Sequence, residues 1–186
     1  NDGGQSVPLG DLHAVDLAMA AHAVDAEGRF VYEPLAYRAE EWYGSTFWSG
    51  PDWTRVGRDW QHSGETVSSC RTFVAPRDGR VAVSGCIAKA DTNGGDGIRA
   101  TVRLGAEELY VAELGPDDAA GVEPCLNLEL SEGDHLRFVL HRRGDIVQGK
   151  VRLGLFFHAH GFEDSPRLIV GDDARAQAHR ADRVVV

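Results

Sequence analysis

The chain has 186 residues, 42% of them hydrophobic and 26% charged, with a formal charge of −10. That length and balance can bury a core without cross-links and exclude a disordered chain. Such an acidic surface repels phosphate backbones, so no nucleic-acid partner is expected, and no apolar run nears the roughly 20 residues of a membrane span.

Residues 1–28 form an N-terminal segment. It begins at Asn1 with no basic stretch leading into an apolar one, as expected of a processed chain or a piece of a longer protein. Within it, Leu12, Val15, Met19 and Ala23 recur at helical spacing. A short helix over 11–26 is expected, with a strand or an irregular wrap as alternatives.

Residues 29–160 carry the main domain. The stretch 29–37 reads as a strand broken by Pro34, which assigns it to a sheet edge. From about 65 to 160, apolar and polar residues alternate, the mark of strands with one buried face. Val81, Val83 and Ile87 share a face. Ile98, Ala100, Val102 and Leu104 point one way, and Arg99, Thr101 and Arg103 point to water. The same rhythm runs through Leu126, Leu128 and Leu130, through Leu136, Phe138 and Leu140, and through Val151, Leu153, Leu155 and Phe157.

Turn residues separate these strands, as in Pro76-Arg77-Asp78-Gly79 and Ser131-Glu132-Gly133-Asp134. Short strands without intervening helices give an all-β antiparallel sandwich or barrel, with at most one or two short helices near the termini. If the turn after Ala75 makes a hairpin in which Phe73 faces Val83, then Cys70 faces Cys86. A disulfide there and separate buried thiols both remain open, and the three cysteines lack zinc-ligand spacing. Residues 161–186 read as a C-terminal extension or the start of a linker, ending in a strand-like run, Val184, Val185 and Val186, that would continue into a neighbouring domain.

One ordered string runs from Gly57-Arg58-Asp59-Trp60-Gln61-His62 through Cys70-Arg71-Thr72-Phe73-Val74-Ala75-Pro76-Arg77-Asp78-Gly79. It continues with Ser84-Gly85, Gly94-Gly95-Asp96-Gly97 and Glu132-Gly133-Asp134-His135-Leu136-Arg137-Phe138. This string resembles the β-sandwich accessory modules of large secreted bacterial proteins such as polysaccharide-degrading enzymes and toxins. The resemblance implies a jelly-roll or galactose-binding-like sandwich, a secreted or cell-surface setting, and a carbohydrate-binding or spacer role without a catalytic residue.

Aromatic residues give the main functional signal. Trp42, Tyr43, Trp48, Trp53 and Trp60 lie between positions 42 and 60, with all four tryptophans among them. Sugar C–H faces stack on such rings, which offer large contact area at little entropic cost. These five are the candidate contacts for a poly- or oligosaccharide, against the alternative that they fill the core.

Asp91, Asn93 and Asp96 cluster oxygen donors in a Gly-rich loop, as a calcium ion requires, although Asp and Asn beside Gly also make plain turns. No cofactor is required by this reading. His158 and His160 are spaced to share a strand face, and a metal there would need further ligands, for which His135 and His141 are candidates.

Three functions follow. The first is a non-catalytic carbohydrate-binding module of a larger extracellular protein. The second is a structural domain packing against its neighbours. The third is a sandwich enzyme, either a polysaccharide lyase or hydrolase or a cupin-like metal enzyme.

Overall fold

The computed structural model describes residues 6–8, 17–42, 44–143 and 150–160. Among the described residues, fourteen strands build two antiparallel layers. They are β1 (Ser6–Pro8), β2 (Leu17–Val24), β3 (Phe30–Pro34), β4 (Ala36–Trp42), β5 (Ser45–Ser49), β6 (Arg55–Gly57) and β7 (Trp60–His62). The rest are β8 (Ser68–Val74), β9 (Gly79–Lys89), β10 (Ile98–Leu104), β11 (Glu107–Leu114), β12 (Leu126–Leu130), β13 (His135–Arg142) and β14 (Lys150–His160). One sheet has the order β12-β9-β14-β7-β6-β5-β4, with β1 also on β14; the other runs β11-β10-β13-β8-β2-β3. The chain is an antiparallel β-sandwich.

Its core forms where the alternation said it would. Val81, Val83 and Ile87 from one sheet meet Phe73, Ile98, Val102, Leu136 and Phe138 from the other, all almost fully buried. Pro34 ends an edge strand, since β3 closes the six-stranded sheet. Beyond it the buried Leu35, its N–H on the Met19 carbonyl at 2.9 Å, carries the chain into the opposite layer as β4.

Two expectations fail. The part of the expected helix that is described, residues 17–24, is strand β2, paired with β8 on one side and β3 on the other. Met19 and Ala21 face the core while Ala20 and His22 face outward, and two flanking ladders outweigh the modest helix preference of alanine. Leu12 and Val15 lie outside the described residues, as do 161–186.

The expected hairpin is instead a crossing between layers. Phe73 pairs with Leu136 on β13 and Val81 with Leu128 on β12, so both strands already have their ladders. The turn between them is tied to the β12–β13 turn, Ala75 N–H bonding the Asp134 carbonyl and Gly133 N–H the Ala75 carbonyl, each at 2.8 Å. Cys70 and Cys86 therefore sit on opposite sheets, and Cys70, Cys86 and Cys125 are all free thiols. Burial pushes the Cys70 thiol up to about 11.

The charged side chain of Arg71 lies inside the sandwich. Arg71, on β8, is buried beside Phe73's face of the strand. Its Nε donates to Gln61 Oε1 at 3.1 Å, its Nη1 to the Arg58 carbonyl at 2.8 Å, and its Nη2 to the carbonyls of Trp60, at 3.1 Å, and Gly57. Gln61 in turn donates to Ser69 Oγ at 3.3 Å. Burial lowers the Arg71 pKa to about 10, with Asp59 acting in the opposite direction, so the group stays charged at neutral pH.

Two outcomes are expected. Arg71→Met strands the carbonyls of Gly57, Arg58 and Trp60, and urea unfolding should show a loss of about 3 kcal/mol or more. A loss below about 1 kcal/mol would mean these bonds contribute little. In the native protein a thiol reagent should modify the exposed Cys125 and spare Cys70 until denaturant is added; mass spectrometry finding a Cys70–Cys86 cross-link would contradict the layer assignment.

Candidate functional site

Trp42, Trp53 and Trp60 gather on the outer side of the eight-stranded sheet. Phe47 is opposite Gly57, and Arg55 is opposite both Ser49 and His62, while Val56 on the alternate register faces the core. Gly57 is required here because a methyl group at that position would overlap the Trp60 indole. The indole therefore lies against bare backbone and is buried, its Nε1 donating to Ser45 Oγ at 3.1 Å. Trp42 stands edge-on to it, ring centroids 5.2 Å apart.

Arg55 organises the layer above. Its guanidinium carbon is 4.1 Å from the Trp42 ring centroid and 4.0 Å from that of Trp53, with Phe47 at 5.1 Å. A cation between two indoles holds both faces by about 0.5–1 kcal/mol each when exposed and by more when desolvated. Trp53 is 60% exposed.

Its loop is under backbone strain: Asp52 and Trp53 have φ of 51° and 66°, the left-handed region that non-glycine residues enter at a cost of roughly 1–3 kcal/mol each. The loop is locked by Gly50 N–H on the Thr54 carbonyl at 2.9 Å and Thr54 N–H on the Pro51 carbonyl at 2.8 Å. The Asp52 carboxylate accepts from the Thr66 N–H at 3.1 Å and from the Thr66 hydroxyl.

Of the five candidate ring contacts, Trp42 and Trp53 come together around Arg55, and Trp60 is their buried support. Trp48 is on the opposite register and packs against the core, with the exposed Tyr37 edge-on at 5.3 Å. Tyr43 lies outside the described residues. From sequence Arg55 reads only as part of the polar setting around the rings, with Ser45, Ser49, Gly50 and Asp52; its place between Trp42 and Trp53 depends on strand register.

In the Gly-rich loop, Asp91 Oδ1 accepts from the Asn93 backbone N–H at 3.1 Å and its side-chain amide at 2.9 Å, a local turn bond. Asp96 is exposed on the same loop. Among the described residues no group of three or more His, Cys, Asp or Glu is placed to hold a metal. His158 and His160 belong to β14 and pair with β9, whereas His135 and His141 belong to β13 in the other sheet. The four histidines are thus split between the two sheets.

The outer face of the six-stranded sheet holds a second group that sequence reading sent to water. Thr101 and Arg103 are only 2% and 5% exposed. Arg103 lies over the Phe30 ring at 3.8 Å and Arg137 over Tyr32 at 4.4 Å. Since β13, β8 and β2 separate Arg103's strand from Phe30's, this sheet curls until its side chains close over Cys70, Ala20 and Val139. The rings of His22 and His141 meet at 5.7 Å, and Ser68 Oγ is 2.7 Å from His141 Nδ1.

Burial lowers both histidines. For His141, held down to about 4, His22, Arg99 and Arg103 add to the effect and Glu108 opposes it. For His22, Arg103 and Arg137 add to it, against a backbone hydrogen bond that raises it.

No protein-family model and no curated protein matches the sequence. Similar solved structures include CBM51 from Clostridium perfringens GH95 in complex with methyl-galactose, at 14% identity over 83% of this chain and 97% of that one, TM-score 0.39. A family 35 carbohydrate binding module from Clostridium thermocellum aligns at 13% identity over 82% of this chain and 96% of its own, TM-score 0.37. The xylan-binding module CBM15 aligns at 8% identity over 86% and 98%, TM-score 0.38.

A pH dependence follows from the histidine pair. Burial lowers both His22 and His141, His141 to about 4, and both protonate more readily once unfolded, so stability is full above about pH 6.5 and falls as pH drops, the His141 share being lost toward about pH 4. Urea midpoints should show a loss of about 1–2 kcal/mol between pH 6.5 and 5, ahead of most carboxylate titration. His141→Gln should flatten much of that slope; an equally steep variant would place its origin elsewhere.

Proposed function

We propose that this chain is a non-catalytic carbohydrate-binding module of a larger extracellular protein, and that it grips sugar through Trp53 and Trp42. The observation that carries this reading is the exposed Trp53 ring, clamped on Arg55 and held out by two consecutive residues in left-handed backbone. A large apolar ring kept in water at a conformational cost is what a stacking platform needs: rigid before its ligand arrives, and losing little entropy on contact. Arg55, the Trp42 edge and the loop's polar residues supply donors for hydroxyl groups beside it.

The string from Gly57 to Phe138 supports the same reading. A second reading, a domain that packs against neighbours, is favoured by Val24, Phe30 and Val31, exposed together at the β2–β3 hairpin.

Retardation in gels containing soluble polysaccharides separates the two. Trp53→Ala should abolish retardation by the preferred glycan, a loss of about tenfold or more in affinity, while lowering stability by no more than about 1 kcal/mol. Retardation unchanged by Trp53→Ala would dismiss the platform. No retardation by any glycan, together with self-association in sedimentation, would favour the packing domain.

A further inference from the structure

The curled face of the six-stranded sheet carries five screened polar atoms with no hydrogen-bond partner among the described residues: His22 Nε2, Tyr32 Oη, Thr101 Oγ1, Arg103 Nε and His141 Nε2. The registers put them together. Arg99 on β10 pairs with His141 on β13, His22 on β2 pairs with Tyr32 on β3, and Thr101 and Arg103 follow Arg99 on the same side of β10. The His22 ring touches those of Tyr32, Phe30 and His141 at 4.9, 5.3 and 5.7 Å. His22, Thr101 and Arg103 are each more than nine-tenths buried. An unpaired buried donor costs about 1–3 kcal/mol, so five on one face mark either a site awaiting an acceptor or a layer of bound water.

Charge favours the acceptor. Arg99 is neutralised by a two-point pair with Glu108, at 2.9 and 3.2 Å. Arg103 and Arg137 instead lie on aromatic rings and have no ion pair among the described residues. Two guanidinium groups without an ion pair among the described residues, Arg103 donating to the Ala106 carbonyl at 3.3 Å and Arg137 beside His135 Nδ1 at 2.9 Å, thus share this face with two hydroxyls and two imidazoles, on a chain whose overall charge is −10. A carboxylate accepts about four hydrogen bonds through two oxygens and pairs strongly with guanidinium. The Phe30 and Tyr32 rings add apolar surface beside it, which suits the C–H face of a sugar better than a bare ion.

We propose that this face binds the carboxylate of an acidic sugar, a uronate, with Thr101, Arg103, Tyr32 and the histidine pair as its ligands. The inference rests on the carbohydrate reading above but uses a different surface, on the opposite layer from Trp53. Entry requires the Arg137 side chain, half-buried on Tyr32, to swing aside.

Isothermal titration of the whole chain with glucuronate, glucose and inorganic sulfate, at matched ionic strength, tests it. Glucuronate should bind and glucose should not at this site, and Thr101→Val should weaken glucuronate about tenfold or more. The same variant should melt higher than the parent without ligand, because valine removes an unpaired hydroxyl at nearly equal volume; this shows that its lost affinity is not unfolding. Arg103→Gln should also lose glucuronate. Absence of glucuronate heat, binding of sulfate alone, or equal affinity in Thr101→Val would each overturn the proposal and assign the orphan atoms to water or another anion. Neutral glycan retention that depends on Trp53, without glucuronate binding, would sink this site and leave the platform standing. Glucuronate binding with retention indifferent to Trp53→Ala would do the reverse.

Discussion

The Arg71 guanidinium between the sheets ties the architecture to its surface chemistry. Arg71 spreads its charge over carbonyl groups of the turn joining β6 to β7. One cation thus gathers the carbonyls of Gly57, Arg58 and Trp60 and holds that turn in place. The consequence reaches outward. With the 57–60 backbone fixed, Gly57 offers a flat bed, Trp60 lies in it, Trp42 stands on Trp60, and Arg55 and Trp53 complete the stack. A residue on one sheet thereby determines what the other sheet shows to solvent.

Much of the layered fold was legible because a strand with one wet face writes its orientation into every second residue. Val81, Val83, Ile98, Val102, Leu136 and Phe138 could be assigned to the core from that rhythm alone. Pro34 named an edge for the same elementary reason: it has no N–H to give a neighbour. Periodicity, however, says which face is buried and not which strand lies alongside. The residues after Ala75 can return as a hairpin or cross to the opposite layer with identical patterning, and the tie to the Asp134 turn that decides between them is 54 residues or more away in the chain, as with the Asp78 carboxylate on Glu132 N–H. The Cys70–Cys86 pairing failed with that choice.

The functional surfaces were legible in proportion to how local they are. The tryptophans crowd one stretch of sequence, so their cluster was visible, although which rings were support and which were surface depended on strand register. Trp48 and Arg55 differ in direction only because one falls opposite Val56 and the other opposite His62. The face bearing His22, Thr101 and Arg103 draws on residues far apart in the chain and on the curl of a sheet. Arg103 looked like an ordinary solvent-facing arginine because alternation assumes a flat layer, and this layer is not flat.

The pairing of β1 with β14 has a mechanical consequence. Ser6 is opposite His158 and Pro8 is opposite Phe156, so the chain enters and leaves this two-stranded ladder at the same end. Tension applied through both flanks therefore loads the rungs one after another, as in opening a zip, instead of shearing them together. The first thing to yield would be a three-residue strand at the margin of the larger sheet, while the two facing surfaces and the arginine between them stay intact.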